Sequence, residues 1–194
     1  MASPPWRNAV NLSHLVVQKV VGPADIVIDA TCGNGHDTLF LAGLVPRGRV
    51  LGFDLSPQAI MATSRRLEQE GLRQRVDLFQ EDFRLLRFYV TDPVQAIMFN
   101  LGYLPGGDRQ TCTTAEASSE AVRQAAPLLQ PGGIMTVVCY PGHEGGREEV
   151  KEVMKATAQL EQKEFEVLTL NFINQTNDPP LLVVVHRLGG GVRG

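Results

Sequence analysis

Hydrophobic residues in this chain fall into short β-branched runs that alternate with longer stretches in which they recur every three or four positions. The short runs are typical of buried strands, and the longer stretches are typical of helices that pack one face against a sheet. The pattern predicts strands over residues 26–30, 49–54, 76–80, 94–100, 134–140, 165–172 and 181–187. It predicts helices over residues 9–21, 37–44, 56–71, 84–89, 114–129 and 147–159.

The order of these elements predicts an α/β fold with a seven-stranded, mostly parallel sheet. The first strands alternate with helices, and such connections place parallel strands side by side with helices on both faces. The last two strands follow each other through a short loop, so the final strand is predicted to be antiparallel. The 194 residues suffice for a single domain, predicted over 1–188, and the glycine-rich residues 189–194 are predicted to form a disordered tail.

The turn after the first strand is a candidate ligand site. The strand ends in Asp29, the loop contains Gly33 and Gly35, and Asp37 opens the next helix. Glycines tolerate a positive φ and let a ligand approach the backbone, and a helix N-terminus offers free N–H groups. Short Gly-x-Gly turns also occur in loops without a ligand, so this fragment alone leaves both interpretations open.

Polar residues end the other predicted strands of the first half as well. Asp54 ends the second strand, where an acid can accept hydrogen bonds from both hydroxyls of a ribose. Asp82 follows the third strand and Asn100 ends the fourth. Because ligands of open parallel sheets bind beyond the carboxyl ends of the strands, these residues are predicted to surround one site.

Composition limits the classes of function. The chain carries 18 basic and 21 acidic residues, a net charge of −3, which argues against a generally basic nucleic-acid-binding surface but allows a local basic patch. The cysteines Cys32, Cys112 and Cys139 are far apart, so neither a disulfide framework nor a metal site is predicted. No signal peptide or membrane-spanning segment is evident, so a cytoplasmic protein that does not enter the membrane is predicted.

The set of strand-end residues resembles that of the class I S-adenosylmethionine-dependent methyltransferases. The resemblance spans nearly the whole chain and implies their Rossmann-like fold, in which the first loop wraps the methionine part of the cofactor. Thr31 stands where that superfamily usually has the first of three alternating glycines. A dinucleotide-binding fingerprint fits worse, because its third glycine would fall at Thr38.

Three longer motifs resemble the YtqB/MnmM family, which was once described as rRNA methylases and methylates the 5-aminomethyl group of wobble 2-thiouridine in tRNA. The motifs are Asp29-Ala30-Thr31-Cys32-Gly33-Asn34-Gly35, Phe99-Asn100-Leu101-Gly102-Tyr103-Leu104-Pro105, and Asn171-Phe172-Ile173-Asn174-Gln175 followed by Pro179-Pro180. The resemblance implies an N-methyltransferase that acts on the anticodon region of tRNA. Within this family Thr31 is the expected residue.

The resemblance and the strand-end pattern together predict the binding residues. Contacts with S-adenosylmethionine, and with the product S-adenosylhomocysteine, are predicted for Asp29, Thr31, Cys32, Gly33, Asn34, Gly35, Asp37, Asp54, Leu55, Ser56, Asp82, Phe83, Asn100 and Leu101. Substrate contacts are predicted for Asn11, His14, Gly102, Tyr103, Leu104, Pro105 and Asn174. His36 is predicted to pack or cap within the first turn.

The predicted acceptor is an amine, which must lose a proton before its nitrogen can attack a methyl carbon in line. Asn100 can accept hydrogen bonds from that amine, and Tyr103 can stack on a base, as in the Asn-Pro-Pro-aromatic loop of amino-directed nucleic-acid methyltransferases. His143 or Asp108 is the predicted base, with His14 as a further candidate. A water-exposed loop histidine is the alternative for His143.

RNA contact is the least constrained prediction. Arginines are concentrated around the third strand, at Arg65, Arg66, Arg73, Arg75, Arg84 and Arg87. They fit either a phosphate-binding patch, for which RNA affinity would fall steeply with salt, or a solvated face. A homodimer would enlarge the RNA-binding surface.

Other functions remain open at this stage. The chain could methylate another RNA or a small-molecule amine. It could also be a nicotinamide-dependent oxidoreductase, which would bind a dinucleotide, or a protein that binds S-adenosylmethionine without catalysis.

Overall fold

The computed structural model describes residues 6–102 and 114–189. Its strands are β1 (Ile26–Asp29), β2 (Arg49–Phe53), β3 (Val76–Phe79), β4 (Val94–Asn100), β5 (Leu129–Cys139), β6 (Phe165–Leu170) and β7 (Leu181–Arg187). Its helices are α1 (Ala9–Val17), α2 (His36–Leu44), α3 (Pro57–Gln69), α4 (Leu86–Tyr89), α5 (Ala115–Ala125) and α6 (Gly146–Ala158).

The strands form one seven-stranded sheet in the order β3-β2-β1-β4-β5-β7-β6. Neighbours from β3 to β5 pair in parallel, whereas β7 is antiparallel to both β5 and β6. The predicted fold class and the predicted antiparallel last strand are therefore confirmed. The strand order reverses between β1 and β4, which is where an open α/β sheet offers a crevice at the carboxyl ends of its strands.

Both faces of the sheet are covered. On one face, Val27 and Val50 pack with Leu41 of α2 and Leu67 of α3, and α1 contributes Val17. The other face packs against α5 and α6. Its buried cluster includes Ile28, Phe53, Ile97 and Phe99 from the strands, Val122 from α5 and Val153 from α6. Strands buried on both faces need apolar residues at successive positions, which explains the short unbroken runs in the sequence.

Strand β5 differs from the prediction, because it begins at Leu129 rather than Ile134. Val94 pairs with Leu129 and Ala96 pairs with Ile134, so residues 130–133 form a bulge within the strand. Gly132 has a φ of +83°, and its carbonyl accepts a hydrogen bond from the Gln95 side chain at 3.2 Å. The segment Pro131-Gly132-Gly133, which has the composition of a turn, is thus a bulge that the sheet incorporates.

Two predicted ends are also corrected. Helix α1 ends at Val17 instead of Val21, since the N–H groups of Lys19 and Val20 bond three residues back, to Val16 and Val17, in tighter turns. Strand β6 ends at Leu170 instead of Phe172, at the limit of its pairing with β7.

The structure does not decide the domain prediction. Of the predicted tail, residues 189–194, only Gly189 is among the described residues. A single domain over residues 1–188 stays a prediction. Within residues 6–102 and 114–189, no helix is both long and apolar enough to cross a membrane.

Candidate active site

A cleft of about 860 Å³ opens beyond the carboxyl ends of the strands. Most of the predicted cofactor-binding residues contribute to its wall. Those that do are Thr31, Cys32, Gly33, Asn34, Asp37, Asp54, Leu55, Ser56, Asp82, Phe83, Asn100 and Leu101, together with the predicted Gly102 and His143. The cleft is large enough for a nucleoside with an attached amino acid side chain.

Asp29 lies beneath the cleft and does not form part of its wall. It is fully buried; its Oδ1 accepts a hydrogen bond from the Thr31 N–H at 3.1 Å, and its Oδ2 accepts one from the Thr38 hydroxyl. Burial raises the pKa of the Asp29 carboxyl, and the negative charge of Asp37 raises it further. Asp29 therefore supports the turn from below, and its direct contact with the cofactor stays a prediction.

Thr31 links the first turn to the end of β4. Its hydroxyl oxygen accepts a hydrogen bond from the Asn100 N–H at 2.8 Å. A glycine at this position would leave that N–H without this partner. The departure from the usual glycine thus has a structural reason, because Thr31 fixes the backbone that carries Asn100.

The glycines of the turn permit close packing. Gly33 and Gly35 have φ values of +51° and +77°. A Cβ atom on Gly35 would lie 2.9 Å from the Cα of Thr63 in α3, closer than real contacts allow. Gly35 is buried and is not among the residues of the cleft wall; its close approach to Thr63 gives it a packing role, and its cofactor contact stays a prediction.

Cys32 is part of the wall, but its thiol is packed away. The residue is 3% exposed, and a Cβ atom on Gly52 of β2 would lie 2.8 Å from its Sγ. Burial, followed by the charge of Asp29, raises the pKa of the Cys32 thiol well above its usual range. The thiol therefore stays protonated and serves packing between the turn and β2.

Asp54 joins the turn to the start of α3. Its Oδ2 accepts a hydrogen bond from the Gly33 N–H at 2.8 Å, and its Oδ1 accepts one from the Ser56 N–H at 2.9 Å. Burial raises the pKa of the Asp54 carboxyl, while these two hydrogen bonds oppose the increase. Between Asp54 and Ser56, Leu55 is 54% exposed in the cleft wall and offers an apolar surface for a flat ring.

The far side of this wall is built by Asp82 and Phe83. Asp82 forms an ion pair with Arg84 at 2.6 Å. Partial burial alone would raise the pKa of Asp82, but the hydrogen bonds and charge of Arg84 outweigh burial and lower it. Phe83 packs edge-on against Phe99, with ring centroids 5.9 Å apart, so its position in the wall is fixed from behind.

Asp37 is the centre of a polar cluster that joins three elements. Its Oδ1 lies 2.6 Å from Nε2 of His14 on α1, and its Oδ2 accepts a hydrogen bond from Nδ2 of Asn100 at 3.3 Å. The His14 ring stacks on Phe40 of α2 at 3.8 Å between centroids. Tyr140, in the cleft wall, also hydrogen-bonds to the Asn100 side chain. His14 itself is outside the cleft wall and contacts it through Asp37.

His143 is part of the cleft wall, and its side chain is only 14% exposed. The alternative of a water-exposed loop histidine is therefore wrong. Its Nδ1 lies 2.8 Å from the Glu144 carbonyl oxygen, and its Nε2 lies 3.9 Å from Oε2 of the buried Glu149. Glu149 also accepts a hydrogen bond from the Ser118 hydroxyl at 2.6 Å. Because both ring nitrogens of His143 face acceptor oxygens, the contacts favour a role in holding the cleft wall in place. The role of His143 as a base stays a prediction.

Several predicted substrate residues do not meet at the cleft. Asn11 and Asn174 are exposed and form no part of its wall. Other predicted site residues lie outside the described residues, namely Tyr103, Leu104, Pro105 and Asp108. His36 neither packs nor caps as predicted; it is exposed in the cleft wall.

Sequence reasoning missed several residues of the site. Tyr140, Asp178 and Pro180 contribute to the wall, and Glu149 supports it from behind. Tyr140 is the last residue of a predicted strand and the Pro179-Pro180 pair precedes another, so their places at strand ends were a usable signal. Glu149 gave none, because an acid inside a charged helix is normally exposed.

Most of the arginines of the predicted patch bind the protein itself. Arg66 donates to the Asn34 carbonyl at 2.7 Å, Arg75 donates to the Ala42 carbonyl at 3.1 Å, and Arg84 pairs with Asp82. Arg73 donates to the Ser64 hydroxyl at 3.1 Å. These contacts favour a structural role for most of the patch over phosphate binding.

The fold and the cleft together define a class I methyltransferase. The sheet order, the antiparallel β7 and a glycine turn opposite a strand-end acid are all present, and the solved structures with this fold include methyltransferases. The chain belongs to the family described as "Putative rRNA methylase", whose sequence profile matches residues 50–186. The protein is therefore a methyltransferase.

Individual relatives agree with this assignment. A chloroplastic tRNA (mnm(5)s(2)U34)-methyltransferase of Arabidopsis thaliana is 33% identical over 192 residues, which cover 93% of this chain and 70% of the relative. The crystal structure of the "putative rRNA-methylase" of Clostridium thermocellum is 43% identical and superposes with a TM-score of 0.91, covering 94% of this chain and 98% of that one.

A second solved structure is relevant to the cleft. It is that of SMU.1697c, a "putative methyltransferase" of Streptococcus mutans, in complex with SAH. It is 34% identical and has a TM-score of 0.85, covering 97% of this chain and 100% of that one.

Proposed function

We propose that this protein transfers a methyl group from S-adenosylmethionine to the 5-aminomethyl group of the wobble (thio)uridine of tRNA, giving the 5-methylaminomethyl form. The observation that carries the proposal is the 33% identity to the Arabidopsis tRNA (mnm(5)s(2)U34)-methyltransferase across 93% of this chain. The relative is a tRNA methyltransferase whose name specifies the modified nucleotide.

The cleft fits S-adenosylmethionine. The exposed Leu55 and the braced Phe83 supply two apolar surfaces for an adenine ring, and Asp54 lies between the first turn and α3, where a ribose would sit. The presence of SAH in the Streptococcus mutans relative supports the same cofactor here. When bound, S-adenosylmethionine supplies a methyl carbon that is activated by the positive sulfur.

The residues of this chain then have to hold an amine in line with that carbon. Thr31 fixes the backbone of Asn100, and the Asn100 side chain is held between Asp37 and Tyr140. Burial, with a smaller contribution from Asp37, raises the pKa of Tyr140, so its phenol stays protonated at neutral pH. Orientation and exclusion of water by such a fixed set of groups account for much of the rate of an in-line transfer.

The proposed partner is tRNA, contacted at the anticodon region. RNA binding of this kind predicts an affinity that falls steeply with salt. The internal contacts of Arg66, Arg75 and Arg84 leave less positive charge for phosphates than the sequence pattern predicted. A homodimer that extends the surface stays part of the proposal.

A second candidate is an N-methyltransferase for ribosomal RNA. The description of the family as "Putative rRNA methylase" favours it. The same cleft would serve, because the polar cluster around Asn100 would orient any amine of similar size. If the acceptor were a small-molecule amine, the protein would methylate that amine in the absence of RNA.

The proposal is tested by incubating the protein with labelled S-adenosylmethionine and tRNA from cells that lack the wobble methylation step, then identifying the labelled nucleoside by mass. We expect the label on a 5-methylaminomethyl-uridine derivative. Label on rRNA alone would favour the second candidate. No label on any RNA, despite cofactor binding, would reject both and direct the search to small amines.

A further inference from the structure

We propose that Asp37 is a positioning residue that holds the side-chain amide of Asn100 with its nitrogen inward and its oxygen free to accept a hydrogen bond in the cleft. The inference deepens the proposed function and rests on it, since an amine acceptor requires a hydrogen-bond acceptor at this point. The two can nevertheless fail separately.

The contacts of Asp37 are defined on both carboxylate oxygens. Asp37 is 5% exposed and belongs to the first turn of α2, where a negative charge is favoured by the helix dipole. Oδ1 is occupied by Nε2 of His14 at 2.6 Å, so Oδ2 is the oxygen that faces Asn100, at 3.3 Å from Nδ2. Three elements, α1, α2 and the end of β4, thus meet at one carboxylate.

The chemistry of the two groups decides which way the amide points. An ionised carboxylate only accepts hydrogen bonds, and the amide nitrogen of an asparagine only donates them. The nitrogen of Asn100 must therefore face Asp37, and its oxygen lies on the opposite prong of the amide. A reversed amide would place two acceptors against each other in a nearly buried site, which proteins avoid.

His14 and Thr31 make this orientation rigid. The His14 ring is stacked on Phe40 at 3.8 Å, so the carboxylate oxygen that it contacts has little freedom to turn. The backbone of Asn100 is fixed separately by the Thr31 hydroxyl at 2.8 Å. Burial raises the pKa of Tyr140, whereas its hydrogen bond with Asn100 lowers it, as expected when the second N–H of the amide donates to the phenol oxygen. With the backbone and the amide nitrogen both held, the amide oxygen stays available at the cleft wall.

The first test is a Asp37→Asn variant, which keeps the shape of the side chain but can present an N–H group to Asn100. The amide of Asn100 would then turn its oxygen inward and its nitrogen toward the cleft. We expect kcat on the RNA acceptor to fall about 10- to 100-fold, as for a misplaced reacting group, with the Kd for S-adenosylmethionine within about threefold of wild type. A Asp92→Asn variant, on an exposed loop, is the matched control and should keep the wild-type kcat.

A pair-exchange variant separates positioning from simple structural damage. Asp37→Asn combined with Asn100→Asp restores one donor and one acceptor in the opposite order, and it returns an acceptor oxygen to the cleft. We expect the double variant to recover about tenfold over the weaker single variant, because contacting residues are not additive. Additive losses would overturn the inference.

A readout without catalysis, made on the wild-type protein, keeps the inference testable whatever the substrate is. In the amide spectrum of 15N-labelled wild-type protein, one Asn100 side-chain proton should be shifted downfield and protected from exchange, with Asn100→Ala used for assignment. The exposed Asn174 provides the reference. An Asn100 amide that behaves like that of Asn174 would refute the inference, whereas failure of RNA methylation by the wild-type protein would refute only the proposed function.

Discussion

Asp29 is a carboxyl group with no exposed surface. In the unfolded chain its pKa is near 4, as for any aspartate, whereas burial and the charge of Asp37 raise it in the folded protein. The folded state therefore holds the proton more tightly than the unfolded state. As pH rises above about 4, the unfolded chain ionises first, so this group lowers the free energy of unfolding until the raised pKa is passed.

An Asp29→Asn variant removes this pH dependence. Its amide can still accept from the Thr31 N–H and can donate to the Thr38 hydroxyl, so the local contacts are retained. Measured by urea unfolding, the stability of the variant relative to wild type should increase with pH between about pH 4 and neutrality, by at most about 1.4 kcal/mol per pH unit. The exposed Asp92→Asn change should show no such trend. A difference in stability between Asp29→Asn and wild type that stays constant with pH would contradict the assigned pKa shift.

At the scale of single residues, sequence reasoning located groups better than it defined their roles. Asp54 and Asn100 were predicted because the ends of parallel strands meet at one edge of the sheet. The role of Thr31 as a hydrogen-bond acceptor for Asn100 depends on the distance between two strand ends, which a sequence does not contain. The contact between His14 and Asp37 was not predictable for the same reason, because the two residues are 23 positions apart in the chain.

Among the elements, the first turn packs closely against α3 at Gly35. A Gly35→Ala variant places a methyl group 2.9 Å from the Cα of Thr63 and forces a side chain into a φ of +77°. We expect a loss of about 1–3 kcal/mol in the free energy of unfolding and weaker binding of S-adenosylmethionine, measured by urea unfolding and by calorimetry.

The control for that variant lies in the helix that follows Gly35. Gly43 is in α2, and no described atom outside its own stretch of helix lies within 4 Å of an added Cβ. Gly43→Ala should therefore leave cofactor binding unchanged and raise stability by about 0.5–1 kcal/mol, because alanine restricts the unfolded chain and favours a helix. Equal losses in the two variants would show that the packing against Thr63 is unimportant.

Element types were predictable, and element ends were less so. Long apolar runs and capping residues such as Ser56 and Thr114 mark the strands and helices directly. The bulge in β5 is not evident from the sequence, because Pro131-Gly132-Gly133 has the composition of a turn. Its inclusion in the strand depends on Gln95, a residue of the neighbouring strand whose side chain bonds to the Gly132 carbonyl.

For the whole molecule, ligand binding should be visible as a gain in thermal stability. S-adenosylmethionine or S-adenosylhomocysteine at about 100 times its Kd adds about 2.7 kcal/mol, which raises Tm by about 5–10 °C for a chain of this size. NADH at the same concentration should not change Tm. A shift with NADH and none with S-adenosylhomocysteine would favour the oxidoreductase alternative.

The position of β7 has a consequence for the synthesis of the protein. β7 lies between β5 and β6 in the sheet although it follows both in the chain. When β6 emerges from a ribosome, that strand has no neighbour to pair with until β7 has followed it, and the addition of about 20 residues takes roughly 1–4 s. During this interval Val167 and Leu168 lack the cover of a paired strand, so the nascent chain is most open to misassociation and to chaperones just before its sheet closes.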